Sequence, residues 1–149
     1  MNKLKKQYDI CCNIAQTLNI IGDKWTLLIL HAVKENKHTY KDIHESLPGI
    51  PTNLLSNRLK ELCQDDLLQC ELYSKHPPRY QYHLTPKSVD LDDIYNALII
   101  WGDHHLDKSY KCISHDDCAG EVEIVYRCKR CGEIINKEDL YTPPFRLFI

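Results

Sequence analysis

Leu47-Pro48-Gly49-Ile50-Pro51-Thr52-Asn53-Leu54-Leu55-Ser56-Asn57-Arg58-Leu59-Lys60-Glu61-Leu62-Cys63-Gln64 is the stretch that decides the fold. Pro48-Gly49 reads as a turn, and a helix is expected over Thr52–Gln64. Leu55, Leu59 and Leu62 recur at i, i+4 and i+7, so they form one buried stripe. At about 100° per residue the opposite face carries Asn53, Asn57, Lys60 and Gln64, with Ser56 to one side. Upstream, Thr39 opens a short helix, with Asp42 three residues on as a reduced form of the capping box. Ile43 and Leu47 are its inner face. A helix, a tight Pro-Gly turn and a second helix with an amide-rich outer face read as a helix-turn-helix.

The flanks extend this pattern. Ile10, Ile14, Leu18 and Ile21 lie at helical spacing, and Gly22 ends that helix. Asp23 is placed to cap the next one, whose apolar run over 25–33 reads as buried on most sides. Downstream, residues 67–73 and 80–84 are β-like, separated by Ser74-Lys75-His76-Pro77-Pro78-Arg79. Two prolines argue against a tight two-residue turn, so a hairpin with an extended, basic loop is expected. Thr85-Pro86 suits the N-cap and first turn of a following helix, strongest over 91–106, where Leu91, Ile94, Leu98 and Trp101 form the apolar stripe. Composition changes after Asp107, which divides the chain into residues 1–108 and a cysteine-rich tail, 109–149. The fold class expected is α+β, mainly α: a winged helix-turn-helix with flanking dimerisation helices and a small β-rich tail.

Composition bounds the function. At 149 residues there is room for one ordinary domain, or a small domain with an appendage, and 43% apolar residues suffice for a core. No run approaches the roughly 20 apolar residues that span a bilayer. The basic start over 1–6 leads into Tyr8 and Asp9 rather than an apolar signal core, so the chain reads as unexported and cytoplasmic. A net charge of −2 gives no general affinity for nucleic acid, so any DNA contact must come from a local patch. Eight cysteines without an export signal point to metal binding or redox sensing before disulfides.

Ile20-Ile21-Gly22-Asp23-Lys24-Trp25-Thr26-Leu27-Leu28-Ile29-Leu30 with Cys12, then Leu47-Pro48-Gly49-Ile50, then Leu55 to Leu62, then Pro77-Pro78-Arg79-Tyr80-Gln81-Tyr82-His83-Leu84-Thr85-Pro86 and Trp101-Gly102 form an ordered set. From about residue 11 to 105 the set resembles the HxlR-type winged helix-turn-helix transcriptional regulators, relatives of the MarR group. The resemblance implies homodimers that read pseudo-palindromic operators on double-stranded DNA. Two positions depart from it. Asp23 stands where a small residue is usual after the first glycine, and Pro51-Thr52 replaces the usual Ser-Pro before the recognition helix. The second departure sits where base contacts begin, so an operator sequence cannot be borrowed from relatives.

In this geometry the second helix enters the major groove and its N-terminal half meets base edges, which nominates Thr52, Asn53, Ser56 and Asn57. Lys60 is expected to reach phosphate, Tyr40 and Lys41 to touch the backbone, and Lys75 and Arg79 of the hairpin to meet phosphate or the minor groove. The plainer alternative is a solvated helix face. Arg58 lies towards the edge of the buried stripe and is as well explained by a structural role. Trp25 and Trp101 read as core or dimer residues. Apolar residues beyond the main stripe of 91–106, namely Ala97, Ile99 and Ile100, need a partner, as does the first helix, so a twofold dimer is expected.

The cysteines carry the remaining signals. Cys11 and Cys12 open the first helix and read first as two small buried hydrophobes; the alternative, implied by the resemblance to relatives that sense redox state with a cysteine at the Cys12 position, is a redox-sensing thiol. Cys63 and Cys70 receive no role. Cys128-Lys129-Arg130-Cys131-Gly132 reads as a zinc knuckle, and His115 with Cys118 repeats the spacing, so the expected cofactor is Zn²⁺ held by His115, Cys118, Cys128 and Cys131, with Cys112 as an alternative fourth ligand. Only nine residues separate Cys118 from Cys128, and residues 121–126 read as a strand. Extended, that segment holds the two cysteines about 30 Å apart, so it must bend for one ion to be shared. Enzyme motifs are missing: His115-Asp116-Asp117 supplies no His-x-Glu, and there is neither a Gly-rich phosphate loop nor a serine elbow. A protein-interaction module with the winged helix as a dimer scaffold is the other reading of the function.

Overall fold

The computed structural model describes residues 7–142; the basic run over 1–6 lies outside the described residues. The order is α1 (Asn13–Ile21), α2 (Thr26–Lys34), α3 (Tyr40–Ser46), α4 (Thr52–Gln64), β1 (Leu68–Lys75), β2 (Pro78–Leu84), α5 (Pro86–Val89), α6 (Asp92–His105), β3 (Tyr126–Arg127), β4 (Ile134–Ile135) and a 3-10 turn over Lys137–Asp139. No helix among the described residues is long and apolar enough to cross a membrane.

Local chemistry explains the boundaries. α1 stops at Gly22, whose N–H donates to Leu18 O, and a Cβ at Gly22 would come within 2.4 Å of that same oxygen. α2 begins under Asp23, whose Oδ1 accepts from the N–H groups of Trp25 at 3.0 Å and Thr26 at 3.2 Å. Thr39 caps α3 by accepting from Asp42 N at 3.2 Å, while its hydroxyl donates to Asp42 Oδ2 at 2.7 Å. Gly49, at φ 89°, turns the chain between α3 and α4, a conformation that costs glycine little. The apolar faces of α2, α3 and α4 then meet, burying Ile29, Leu30, Val33, Ile43, Leu55, Leu59 and Leu62. Leu67 and Leu68 continue this core into β1.

β1 and β2 pair antiparallel from Leu68↔Leu84 to Lys75↔Pro78, with a register shift between Leu72 and Ser74. The extended loop expected at 74–79 is therefore replaced by a turn with only His76-Pro77 between the paired ends. The His76-Pro77 peptide is cis, the isomer that a type VI turn places at its third residue, and this is how the prolines enter a tight hairpin. The single helix expected after Thr85 is two helices. Thr85 caps α5 by accepting from Ser88 N and donating to Asp66 O at 2.7 Å, and α6 starts separately at Asp92.

The chain divides into two compact units between Asp92 and Asp93, just after the first residue of α6. The first unit is the winged helix-turn-helix. In the second, α6 is followed by a tail of two short hairpin-like turns, one closed by the bridge Ser114↔Glu121 and one by Tyr126↔Ile135 and Arg127↔Ile134. The strand expected over 121–126 is ladder-paired only at its ends.

Candidate nucleic-acid interface

α4 presents the face that its leucine spacing implies. Leu55, Leu59 and Leu62 are buried, while Thr52, Asn53, Asn57 and Lys60 are exposed and Ser56 is half-buried. Pro51 takes the N-cap position, so the helix opens without a side-chain cap. Asn53 Oδ1 accepts from Leu54 N at 2.9 Å, so base pairing through that oxygen requires the side chain to turn outwards. Asn57 is exposed one turn further along.

Arg58 is turned inwards. Its Nε lies 3.3 Å from Asp23 Oδ1, its Nη1 pairs with Glu61, and its side chain is only 12% exposed. Arg58 thus ties α4 to the α1–α2 corner and is a structural residue, outside the DNA-facing set. Burial of Asp23 works against its charge, but hydrogen bonds from Thr26 and Trp25 and the nearby Arg58 guanidinium outweigh it and hold the carboxyl below its ordinary value.

Tyr40 joins the two helices of the motif: its hydroxyl donates to Thr52 O at 3.0 Å, and its ring stacks on His44. Two concavities open beside it. One, of about 530 Å³, is lined by Lys41, Arg79 and the wing tyrosines Tyr73, Tyr80 and Tyr82. The other, of about 430 Å³, lies between α4 and the wing and includes Ser56, Lys60, Tyr80 and Tyr82. Tyr40, Lys41, Ser56, Lys60 and Arg79 therefore share one surface around Tyr40. Lys75 stands exposed at the wing turn. Sequence reasoning missed the wing tyrosines, although Tyr80 and Tyr82 at period two already placed them on one face of β2. Burial, and then the neighbouring thiols Cys70 and Cys63, push the Tyr82 phenol up to about 12, so it stays a neutral donor.

The cysteines fall into three places. Cys11 and Cys12 are both exposed in the single chain, and Cys12 is the N-cap residue of α1. Cys63 of α4 and Cys70 of β1 line the same concavity beside the wing. In the tail, His115 Nδ1 lies 3.2 Å from Cys118 Sγ. At the second turn, the Cys131 thiol donates to Glu133 Oε2 at 3.9 Å, and the nearby N–H groups of Cys131 and Arg130 hold the Cys128 thiol below its ordinary value.

The two tail turns are the same turn. Ala119 N donates to His115 O and His115 N to Gly120 O, at 2.8 and 2.9 Å; Gly132 N donates to Cys128 O and Cys128 N to Glu133 O, both at 2.8 Å. Ala119 (φ 54°) and Gly132 (φ 79°) hold the left-handed position after the second donor of each pair. Yet among the described residues no three His, Cys, Asp or Glu side chains gather as a metal requires. The expected four donors stand as two pairs because residues 121–126 leave the first turn and lead into the second, which puts the turns at opposite ends of that segment.

A three-helix core, an exposed amide-bearing second helix and an adjoining β-hairpin define a winged helix-turn-helix of the kind found in transcriptional regulators. Residues 20–110 match the HxlR-like helix-turn-helix family model, and the chain belongs to that family. It is 34% identical over 110 residues to an HTH-type transcriptional regulator of Methanothermobacter thermautotrophicus, covering 74% of this chain and 79% of that one. The structure of PA1607 superposes with a TM-score of 0.75 over 95% of this chain and all of that one, at 23% identity, so there the likeness is one of fold. The redox regulator HypR in its reduced form superposes with a TM-score of 0.57 at 29% identity, over 64% of this chain and 95% of HypR.

Proposed function

We propose that this protein is a homodimeric, sequence-specific DNA-binding repressor that reads a pseudo-palindromic operator. The observation that carries this reading is the surface on which Ser56 and Lys60 of α4 meet Lys41 and Arg79 around Tyr40, with Asn53 and Asn57 exposed on the same helix. Amides at the helix front select bases, and the flanking cations neutralise phosphates, which a chain of net charge −2 must achieve locally. Exposed Cys11 and Cys12 at the start of α1 are the residues to receive a redox signal, in keeping with the likeness to a redox regulator. A gel shift against the DNA upstream of the protein's own gene tests the reading. A specific complex that survives competition by unrelated duplex is expected. Equal loss to both competitors would favour the alternative, an interaction module using the winged helix as scaffold.

For the tail we propose zinc as the ligand, on the ground that His115/Cys118 and Cys128/Cys131 occupy identical turns that present their donors in pairs. One ion per chain needs residues 121–126 to fold back so that the pairs meet. Metal analysis of protein purified without added zinc or chelator should find one equivalent. Less than half an equivalent, with all four tail thiols freely titratable, would reject the site.

A further inference from the structure

We propose that Cys63 and Cys70 form a thiol–disulfide exchange site at the junction of the recognition helix and the wing, with a low-molecular-weight disulfide as co-reactant. Three observations place the pair. Cys63 lies in the last turn of α4 and Cys70 on β1, and the chain between the two elements is held by Leu67 N donating to Leu62 O at 2.9 Å. Both thiols line the cavity of about 430 Å³ that also contains Tyr40, Ser56, Lys60 and Tyr82. Cys70 is solvent-exposed and Cys63 half-buried, so one thiol meets an incoming reagent and the other waits behind it.

The chemistry divides accordingly. Burial, and then the adjacent Cys70, push the Cys63 thiol up to about 11, so Cys63 is a poor first nucleophile at neutral pH. The Cys70 thiolate attacks the reagent disulfide, forming a Cys70 mixed disulfide and releasing one thiolate. That step removes the influence of the Cys70 thiol on Cys63. Cys63 then gives its proton to solvent and attacks the Cys70 sulfur, forming the Cys63–Cys70 bond and expelling the second thiolate. Two protein thiols are oxidised by two electrons, and one small disulfide is reduced to two thiols.

A covalent S–S bond is about 2.05 Å long, shorter than any thiol–thiol hydrogen bond, so its formation draws the end of α4 towards the wing. Ser56 and Lys60 line the same cavity, so the DNA-facing surface moves with it. The effect on DNA rests on the function proposed above; formation of the bond does not, and the two are read separately.

The experiment uses the full chain with Cys11 and Cys12 replaced by serine, treated with oxidised glutathione. Peptide mass mapping should find Cys63 cross-linked to Cys70, and the Cys63→Ser variant should instead retain one glutathione on Cys70. Gel shifts before and after treatment should show at least a tenfold loss of operator affinity that dithiothreitol reverses and Cys70→Ser abolishes. Failure to cross-link, with both thiols still titratable, would overturn the exchange site. A cross-link that leaves affinity unchanged would overturn the coupling to the DNA surface, and a chain that binds no DNA even when reduced would count against the proposed function alone.

Discussion

At the scale of single residues, Asp23 and Arg58 show how one departure from a family pattern is absorbed. Asp23 stands where a small residue is usual, and it serves as cap for α2 and as ion-pair partner for Arg58. Its carboxyl titrates below the ordinary 3.8, so the charged form is favoured by the folded state. The stability it contributes is complete above the ordinary carboxylate range and is lost as the pH falls through the lowered folded value. Asp23→Ala should therefore cost about 1–2 kcal/mol at pH 7, the size of a lost helix cap. The difference from wild type should narrow below about pH 4. Urea unfolding at matched protein concentration, at pH 7 and pH 3, measures this; an equal gap at both would mean the carboxylate charge contributes nothing.

At the scale of elements, recognition helix and wing carry different kinds of information. α4 holds its amides on a helix anchored by three buried leucines, whereas Lys75 ends β1 at the two-residue turn and Arg79 lies one residue into β2, and both present only charge. Asn57→Ala should relax base preference at a defined operator position, at about 1–3 kcal/mol of discrimination. Lys75→Ala and Arg79→Ala should weaken binding to all sequences alike and lower the salt slope by about one unit for each phosphate left without its cation. Titrations against an operator mutant series at several salt concentrations separate the two effects. Wing variants that altered base preference as strongly as Asn57→Ala would show that the wing reads sequence as well. The helical elements are legible in the residues because stripe, cap and stop all lie within a few positions of one another. The wing turn is not, because proline composition does not reveal which peptide isomer the turn adopts.

At the scale of the whole molecule, much of the apolar stripes read from α1 and α6 stays exposed in the single chain, although Ile21 of α1 is buried. Ile14 is 71% exposed on α1, and Leu98 and Trp101 are 52% and 59% exposed on α6. Apolar surface of this extent marks an interaction site, and the homodimer proposed above would cover it across a twofold axis. Analytical ultracentrifugation at micromolar concentration should find a dimer, and Trp101→Ala should raise the dissociation constant at least tenfold. A monomeric wild-type chain would remove the basis for a pseudo-palindromic operator.

Much of this protein was determined by its sequence alone: the Leu55–Leu59–Leu62 stripe, the Thr39 and Asp23 caps, the Pro48-Gly49 turn and the outward amides. Each is a relation between residues within one or two helical turns, where backbone geometry leaves little choice. Tertiary structure alone decided the relations across loops. It turned Arg58 inwards to Asp23, left much of the α1 and α6 stripes exposed, kept His115/Cys118 from gathering with Cys128/Cys131, and brought Cys63 and Cys70 to one cavity. Those outcomes depend on how whole elements pack and on how far a connecting segment reaches, and neither is written in the spacing of the residues that meet.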